Sequence, residues 1–201
     1  NIPFSCLSHM NFLNERYVDY LKKAGCKLVN IGVETGGESF RREILRRDYS
    51  NNDIYKISET LHKYGILFYT LNMLFLPGET LKMSLKTLKV NIKCKPFATE
   101  VLIFQPFPGT DLASYASSRG FYDGSFESIP VSLFTDSVLA NPQKKIMMRV
   151  FHLFQFTVRF RYFYPLVRIL IYLPFDRLYK MIHQHYKNEM RKRYFFDLKK
   201  I

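Results

Sequence analysis

The sequence predicts an α/β protein made of βα units, of the kind that build a parallel barrel or a doubly wound sheet, followed by a helical extension. Three observations carry that prediction. Apolar runs of strand length end abruptly in turns containing Gly or Pro, and amphipathic helical patterns follow those turns. The glycines that close successive helices, Gly25 and Gly65, stand 40 positions apart. A nearly uncharged run, a tight turn and then a helix is how a strand buried on both faces reads. A period of roughly 30–40 residues suits βα units.

In chain order, residues 2–6 have strand composition and are already running where the sequence opens at Asn1 rather than Met. With no signal or transit segment visible, the chain reads as a fragment or one part of a longer polypeptide. Asn14 suits the N-cap of a helix over 15–24, which Gly25 closes in the left-handed C′ position. Residues 27–33 form the next strand, and Glu34-Thr-Gly-Gly37 its turn. A short helix follows over 38–47, with Phe40, Ile44 and Leu45 inward. Ser50-Asn-Asn-Asp53 has the form of a capping box ahead of Ile54, Ile57 and Leu61. After Gly65 comes a strand over 66–76, ended by Pro77-Gly78-Glu79-Thr80, then an amphipathic helix over 81–94. A strand over 99–104 leads into Gln105-Pro-Phe-Pro-Gly-Thr110. Thr80 and Thr110 both suit N-caps. In such units the loop after a strand's C-terminal end is where ligands are held.

With 47% hydrophobic and 16% aromatic residues among 201, the chain can bury a substantial core and is not of disordered composition. Charge divides it. Residues 142–201 carry 14 Lys/Arg against Asp176, Glu189 and Asp197, a net +11 of the whole +13. The division suggests a βα part over 1–120, a linker over 121–141, and a basic, aromatic helical extension over 142–201. Arginines and Pro165 interrupt the apolar stretch 147–173, so a membrane span is not expected. Two amphipathic helices broken near Pro165 and Pro174 fit better. They would pack on the βα part, closing its substrate side, or lie on an anionic bilayer. Arg191-Lys-Arg193 reads as a solvated helix end, and no nucleic acid partner is expected. Cys6, Cys26 and Cys94 are too scattered for a metal motif or a disulfide framework and read as idle thiols of a reducing cytoplasm.

Four motifs in order carry a family resemblance: Ala24-Gly-Cys-Lys-Leu-Val-Asn-Ile-Gly-Val-Glu-Thr-Gly36, Arg41-Arg-Glu-Ile-Leu-Arg-Arg47, Asn72-Met…Leu76-Pro-Gly-Glu-Thr80 and Phe104-Gln-Pro-Phe-Pro-Gly-Thr110. Over roughly residues 2–120 the chain resembles the second half of a radical S-adenosylmethionine (SAM) domain. Among such proteins it is most similar to those that also carry a cobalamin-binding domain. The resemblance implies the C-terminal part of a partial (βα)6 TIM-like barrel. It implies SAM as cofactor, a [4Fe-4S] cluster whose Cys-x3-Cys-x2-Cys loop would lie upstream, and cobalamin on an upstream domain. The implied reaction is reductive cleavage of SAM to a 5′-deoxyadenosyl radical that modifies a substrate, with cobalamin-dependent methylation as one outcome. This chain alone would be inactive, and its partners would be the upstream remainder and an unknown substrate.

Residue by residue, the resemblance places Glu34 at the SAM ribose with Thr35 beside it. It places Asn72, Gly78 and Glu79 near the adenosine and methionine moieties, and Gln105 where backbone groups meet the adenine. It assigns neither catalytic side chains nor metal ligands here. Glu79 could instead stabilise a helix N-terminus through its dipole. Two departures stand out: Phe75 occupies a position that is usually Gly, and His9 stands about where many relatives have Arg. A different-class alternative is a non-catalytic half-barrel interaction module with a membrane- or partner-binding tail. Localisation would be cytoplasmic, or peripheral at the membrane.

Overall fold

A computed structural model describes residues 2–200, apart from the side chains of Phe126, Arg191 and residues 193–200. Four strands, β1 (Phe4–Ser8), β2 (Cys26–Glu34), β3 (Leu67–Leu74) and β4 (Ala98–Ile103), pair in parallel and in sequential order. Parallel neighbours need crossovers. These are α1 (Glu15–Lys23), then α2 (Glu38–Glu43) with α3 (Asn51–Lys63), then α4 (Leu81–Cys94). The expected α/β class is therefore observed, as an open sheet rather than a closed barrel among the described residues.

Local chemistry sets the boundaries. Asn14 accepts from the Tyr17 amide, Thr80 from Met83, and Thr110, ahead of α5 (Asp111–Ser118), from Ala113, each satisfying an orphan N–H of a first turn. Ser50 and Asp53 form the reciprocal capping box. Gly25 and Gly65 stop their helices at φ +93° and +60°. The helix expected over 38–47 is shorter, ending at Glu43, and α4 ends on Lys95 in the left-handed region rather than on a glycine.

Side-chain alternation gives the sheet two unlike faces. Val29, Ile31 and Val33 of β2 are buried in one core cluster with Val18 of α1 and Ile54 and Leu61 of α3. Asn30, Gly32 and Glu34 are only half-buried and point the other way, to the open face. On β3, Phe68, Thr70, Asn72 and Leu74 face the helices, leaving Tyr69, Leu71 and Met73 on the open face. A bulge between Gly32 and Glu34 shifts the register, so that Glu34 pairs with Asn72 although their side chains leave opposite faces.

A second core joins Leu74, Phe75, Leu81 and Val101 to Met147, Phe151 and Phe154 of α6 (Lys144–Arg159). The basic extension thus begins with a helix that belongs to the core of the βα part, lying against α4 and β4. Phe75 lies in this wall, at φ +63°, which explains why glycine suits the position. The stretch 121–141 has only a 3-10 turn, Phe126–Ser128, but is tied down: Tyr122 and Leu139 are buried with Leu76 and Phe104. Beyond α6, a 3-10 turn (Arg161–Phe163) leads to α7 (Tyr164–Leu170), which has Pro165 in its first turn, and Pro174 precedes α8 (Asp176–Lys200). Of the Arg191-Lys-Arg193 cluster on α8, the side chains of both arginines lie outside the described residues. No helix among the described residues is long and apolar enough to cross a membrane.

Candidate functional site

The end of β2 is organised by a buried arginine. Arg41, on α2, is fully buried. Its Nε donates to the Val33 carbonyl at 3.2 Å and its Nη1 to the Tyr49 carbonyl at 2.9 Å. Its Nη2 donates to the Thr35 carbonyl and to Asn51 Oδ1 at 2.7 Å. The guanidinium also lies 4.8 Å from the centre of the Tyr49 ring. Its hydrogen-bond partners are all neutral, and burial pushes its pKa down, yet a guanidinium stays charged in proteins. The fork therefore clamps the carbonyls on either side of Glu34. Motif reading missed this role, although Arg41 stands one helical turn before Ile44 and Leu45, on the face expected to turn inward. Gly36 completes the clamp. A Cβ there would meet the α4 backbone at 2.6 Å, and its N–H donates to Thr87 Oγ1 at 2.8 Å.

Glu34 is thereby held at φ +62°, with its carboxylate folded back over Gly32, where a Cβ would stand 2.5 Å from Oε1. Leu7, Ser8, His9, Leu71 and Arg47 join Gly32 and Glu34 around a cleft of about 190 Å³. Arg47 Nη2 lies 3.7 Å from Glu34 Oε1. Burial raises the Glu34 pKa and outweighs the opposing pull of Arg47 and Arg41. His9 Nδ1 accepts from the Asn11 amide at 3.2 Å and the ring meets Tyr49 edge-on at 5.8 Å. Burial, and then Arg47, hold its pKa below the usual histidine value.

The other expected site residues have different surroundings. Thr35 is buried, with its Oγ1 3.3 Å from Thr87 Oγ1 and accepting from the Gly37 amide. Asn72 lies on the helix side of the sheet. It donates to Thr99 Oγ1 at 3.0 Å and to the Glu100 carbonyl at 2.9 Å, and accepts from Asn91 at 2.7 Å. With its donors and acceptor spent in this network, it does not share the face of Glu34. Gly78 takes φ +80° in the turn, against the Phe121 ring. Glu79 is 2% exposed, accepting from the Leu76 amide at 3.1 Å and from Ser84 Oγ at 2.9 Å. Burial pushes its pKa up to about 7 against those hydrogen bonds. Gln105 is buried, its Nε2 donating to the Asp136 carbonyl at 2.6 Å, while Oε1 has no partner among the described residues. Of the six, only Glu34 presents a carboxylate to the cleft.

The cysteines do not gather. Cys6 and Cys26 are neighbours, 3.9 Å apart between sulfurs, and Cys94 lies at the end of α4. Burial raises the Cys26 and Cys94 thiols to about 12 and about 11. Among the described residues no three His, Cys, Asp or Glu side chains could hold a metal ion together.

With this geometry in view, residues 1–90 match the family model described as the Radical SAM superfamily. The family recognised from the motifs is borne out for that part of the chain. No curated protein matches the chain. Solved structures that share the fold include the following three. One is the radical SAM methyltransferase TsrM from Kitasatospora setae with cobalamin and a [4Fe-4S] cluster bound, at TM-score 0.53 and 18% identity over 58% of this chain and 23% of that one. Another is coproporphyrinogen III oxidase, HemN, from Escherichia coli, described as a radical SAM enzyme, at TM-score 0.55 and 18% identity over 80% of this chain and 32% of that one. The third is Elp3 of the archaeon Methanocaldococcus infernus, at TM-score 0.52 and 20% identity over 59% of this chain and 28% of that one. The chain thus spans between 23% and 32% of the length of these structures.

Proposed function

We propose that the end of β2 binds the ribose of SAM, as the SAM-facing edge of a radical SAM enzyme completed by other parts of the polypeptide. One observation carries this reading: the Glu34 carboxylate is held over Gly32 in a small cleft on the open face, fixed by a left-handed backbone and the Arg41 clamp. An ionised carboxylate accepts hydrogen bonds from two vicinal hydroxyls at once, which is the chemistry a ribose diol requires. A cleft of about 190 Å³ admits a sugar ring, so the adenine and methionine groups would extend beyond it.

When bound, SAM supplies a sulfonium centre for radical or methyl-transfer chemistry; the residues here bind and orient it. Asn72, Thr35 and Glu79 serve this site as positioning residues that brace the strand ends. The described residues do not fit the [4Fe-4S] cluster, because only Cys6 and Cys26 adjoin, Cys94 lies at the end of α4, and no three His, Cys, Asp or Glu side chains gather among them.

Calorimetry of SAM binding to the full-length polypeptide tests the reading. Glu34→Ala should weaken affinity by about 1–3 kcal/mol, the worth of one or two charge-assisted hydrogen bonds. Unchanged affinity in a variant that keeps its circular dichroism would remove Glu34 from the site.

A further inference from the structure

We propose that residues 160–181, together with a basic cleft between α4 and α7, form a face that docks on an anionic lipid bilayer. The face has an ordered apolar side. Val167 on α7 and Ile171 just after it are buried against the protein, while Leu166 and Ile169 on α7 and Leu173 in the turn beyond it are exposed. Phe175, Leu178 and Met181, each three positions from the next, run from just after Pro174 into α8 and are also exposed. Ile169 is 63% exposed and Met181 69%. Aliphatic stripes of this kind, presented at a surface, mark an interaction site rather than scattered exposure.

Charge says what the face fits. From 160 to 181 the sequence carries Arg161, Arg168, Arg177 and Lys180 against a single acid, Asp176. Arg149 neutralises that acid through two bonds, of 2.7 and 3.1 Å. Beside the stripe lies a cleft of about 530 Å³, walled by Lys82, Lys86 and Lys89 of α4 and by Tyr164, Arg168 and Tyr172, with no acidic residue in its lining. The three lysines lie on one side of α4 by their spacing, and Lys89 Nζ sits 6.0 Å from the Tyr164 ring. Arg168 and Tyr172 thus belong both to the cationic cleft and to the flank of the apolar stripe. An aliphatic stripe beside a cationic, tyrosine-walled cleft matches the two layers of a bilayer surface. Apolar side chains enter the acyl boundary while cations take headgroup phosphates. A polyanion alone would leave the aliphatic stripe wet. Because no described helix can span a membrane, the contact lies in the interface plane.

Vesicle flotation of the full chain tests this, using phosphatidylcholine vesicles with and without phosphatidylglycerol. The chain should float with the anionic vesicles at low salt, and less as salt screens the cations. Ile169→Asp with Met181→Asp should cut flotation on anionic vesicles by about tenfold or more. Lys82→Glu with Lys86→Glu should remove the preference for anionic over neutral vesicles. All four positions lie on the surface, so unchanged thermal melts confirm that the fold is intact. The proposal is overturned if the chain does not float at low salt, or if both variants float as the parent does. It is also overturned if the aspartate variant instead dissolves a dimer of the parent that ignores vesicles, since the stripe would then belong to a second copy.

Discussion

The turns that end β2 and β3 are written in the same terms, a strand closing on a carboxylate among glycines with a helix to follow, yet they dispose of the carboxylate in opposite ways. After β2, Glu34 is turned out to the open face while a cation, Arg41, is buried behind it. After β3, the carboxylate itself is buried, tying the Leu76 amide to Ser84 of α4. In one turn the protein buries a structural cation and leaves the carboxylate on the open face. In the other, the acid is the structural element. A shared motif therefore does not fix which residue meets a ligand; the hydrogen-bond partners on neighbouring elements do.

The contrast can be broken most forcefully at Arg41. Arg41→Ala should leave the carbonyls of Val33, Thr35 and Tyr49 without their donor and cost about 3–5 kcal/mol in urea unfolding. Arg41→Lys should recover little of this, because a point charge cannot replace the fork. A loss below about 1 kcal/mol would show that the clamp is not what holds the turn.

Glu79 offers a second lever, through pH. Its folded pKa, about 7, lies above the ordinary carboxylate value, so the folded state holds a proton that the unfolded state releases. The associated stability is complete below the unfolded pKa and is lost as pH rises towards 7, a difference of roughly 3 kcal/mol. Glu79→Gln should flatten that slope in denaturant titrations across this range. A slope identical to the parent's would mean that Glu79 is ionised in its buried site throughout.

Glu34 should give the smallest effect on the fold. Its ion pair with Arg47 is long and partly exposed, so Glu34→Gln should shift unfolding by less than about 0.5 kcal/mol. Its influence should appear in ligand binding instead. Because burial raises its pKa, SAM affinity should fall on acidification sooner than for an ordinary carboxylate, and the Gln variant should lose that dependence.

What could be read from the sequence was what local chemistry decides. Caps at Asn14, Ser50, Thr80 and Thr110, the closing glycines and the apolar runs all lie within a few residues of what they determine. The harder features depend on facing. Asn72 and Glu34 are opposite one another in the ladder, but the bulge after Gly32 sends their side chains to different faces, and one-residue slips leave no sign in a motif. Arg149 interrupts what looks like an exposed amphipathic helix, yet it is buried on Asp176, so α6 joins the core instead of lying on the surface. Arg41 was hidden in the same way, because a cation surrounded by carbonyls cannot be told from a solvated one until those carbonyls are placed.

The strands also pair in the order in which the chain supplies them. Each βα unit therefore leans on the unit just before and just after it, and every pairing closes a loop of about one unit's length. Such a sheet can grow by accretion, with no distant strand to wait for. It should also come apart from its rim. β1, whose outer edge has no partner strand among the described residues, would exchange its amides first, and the β2–β3 ladder last.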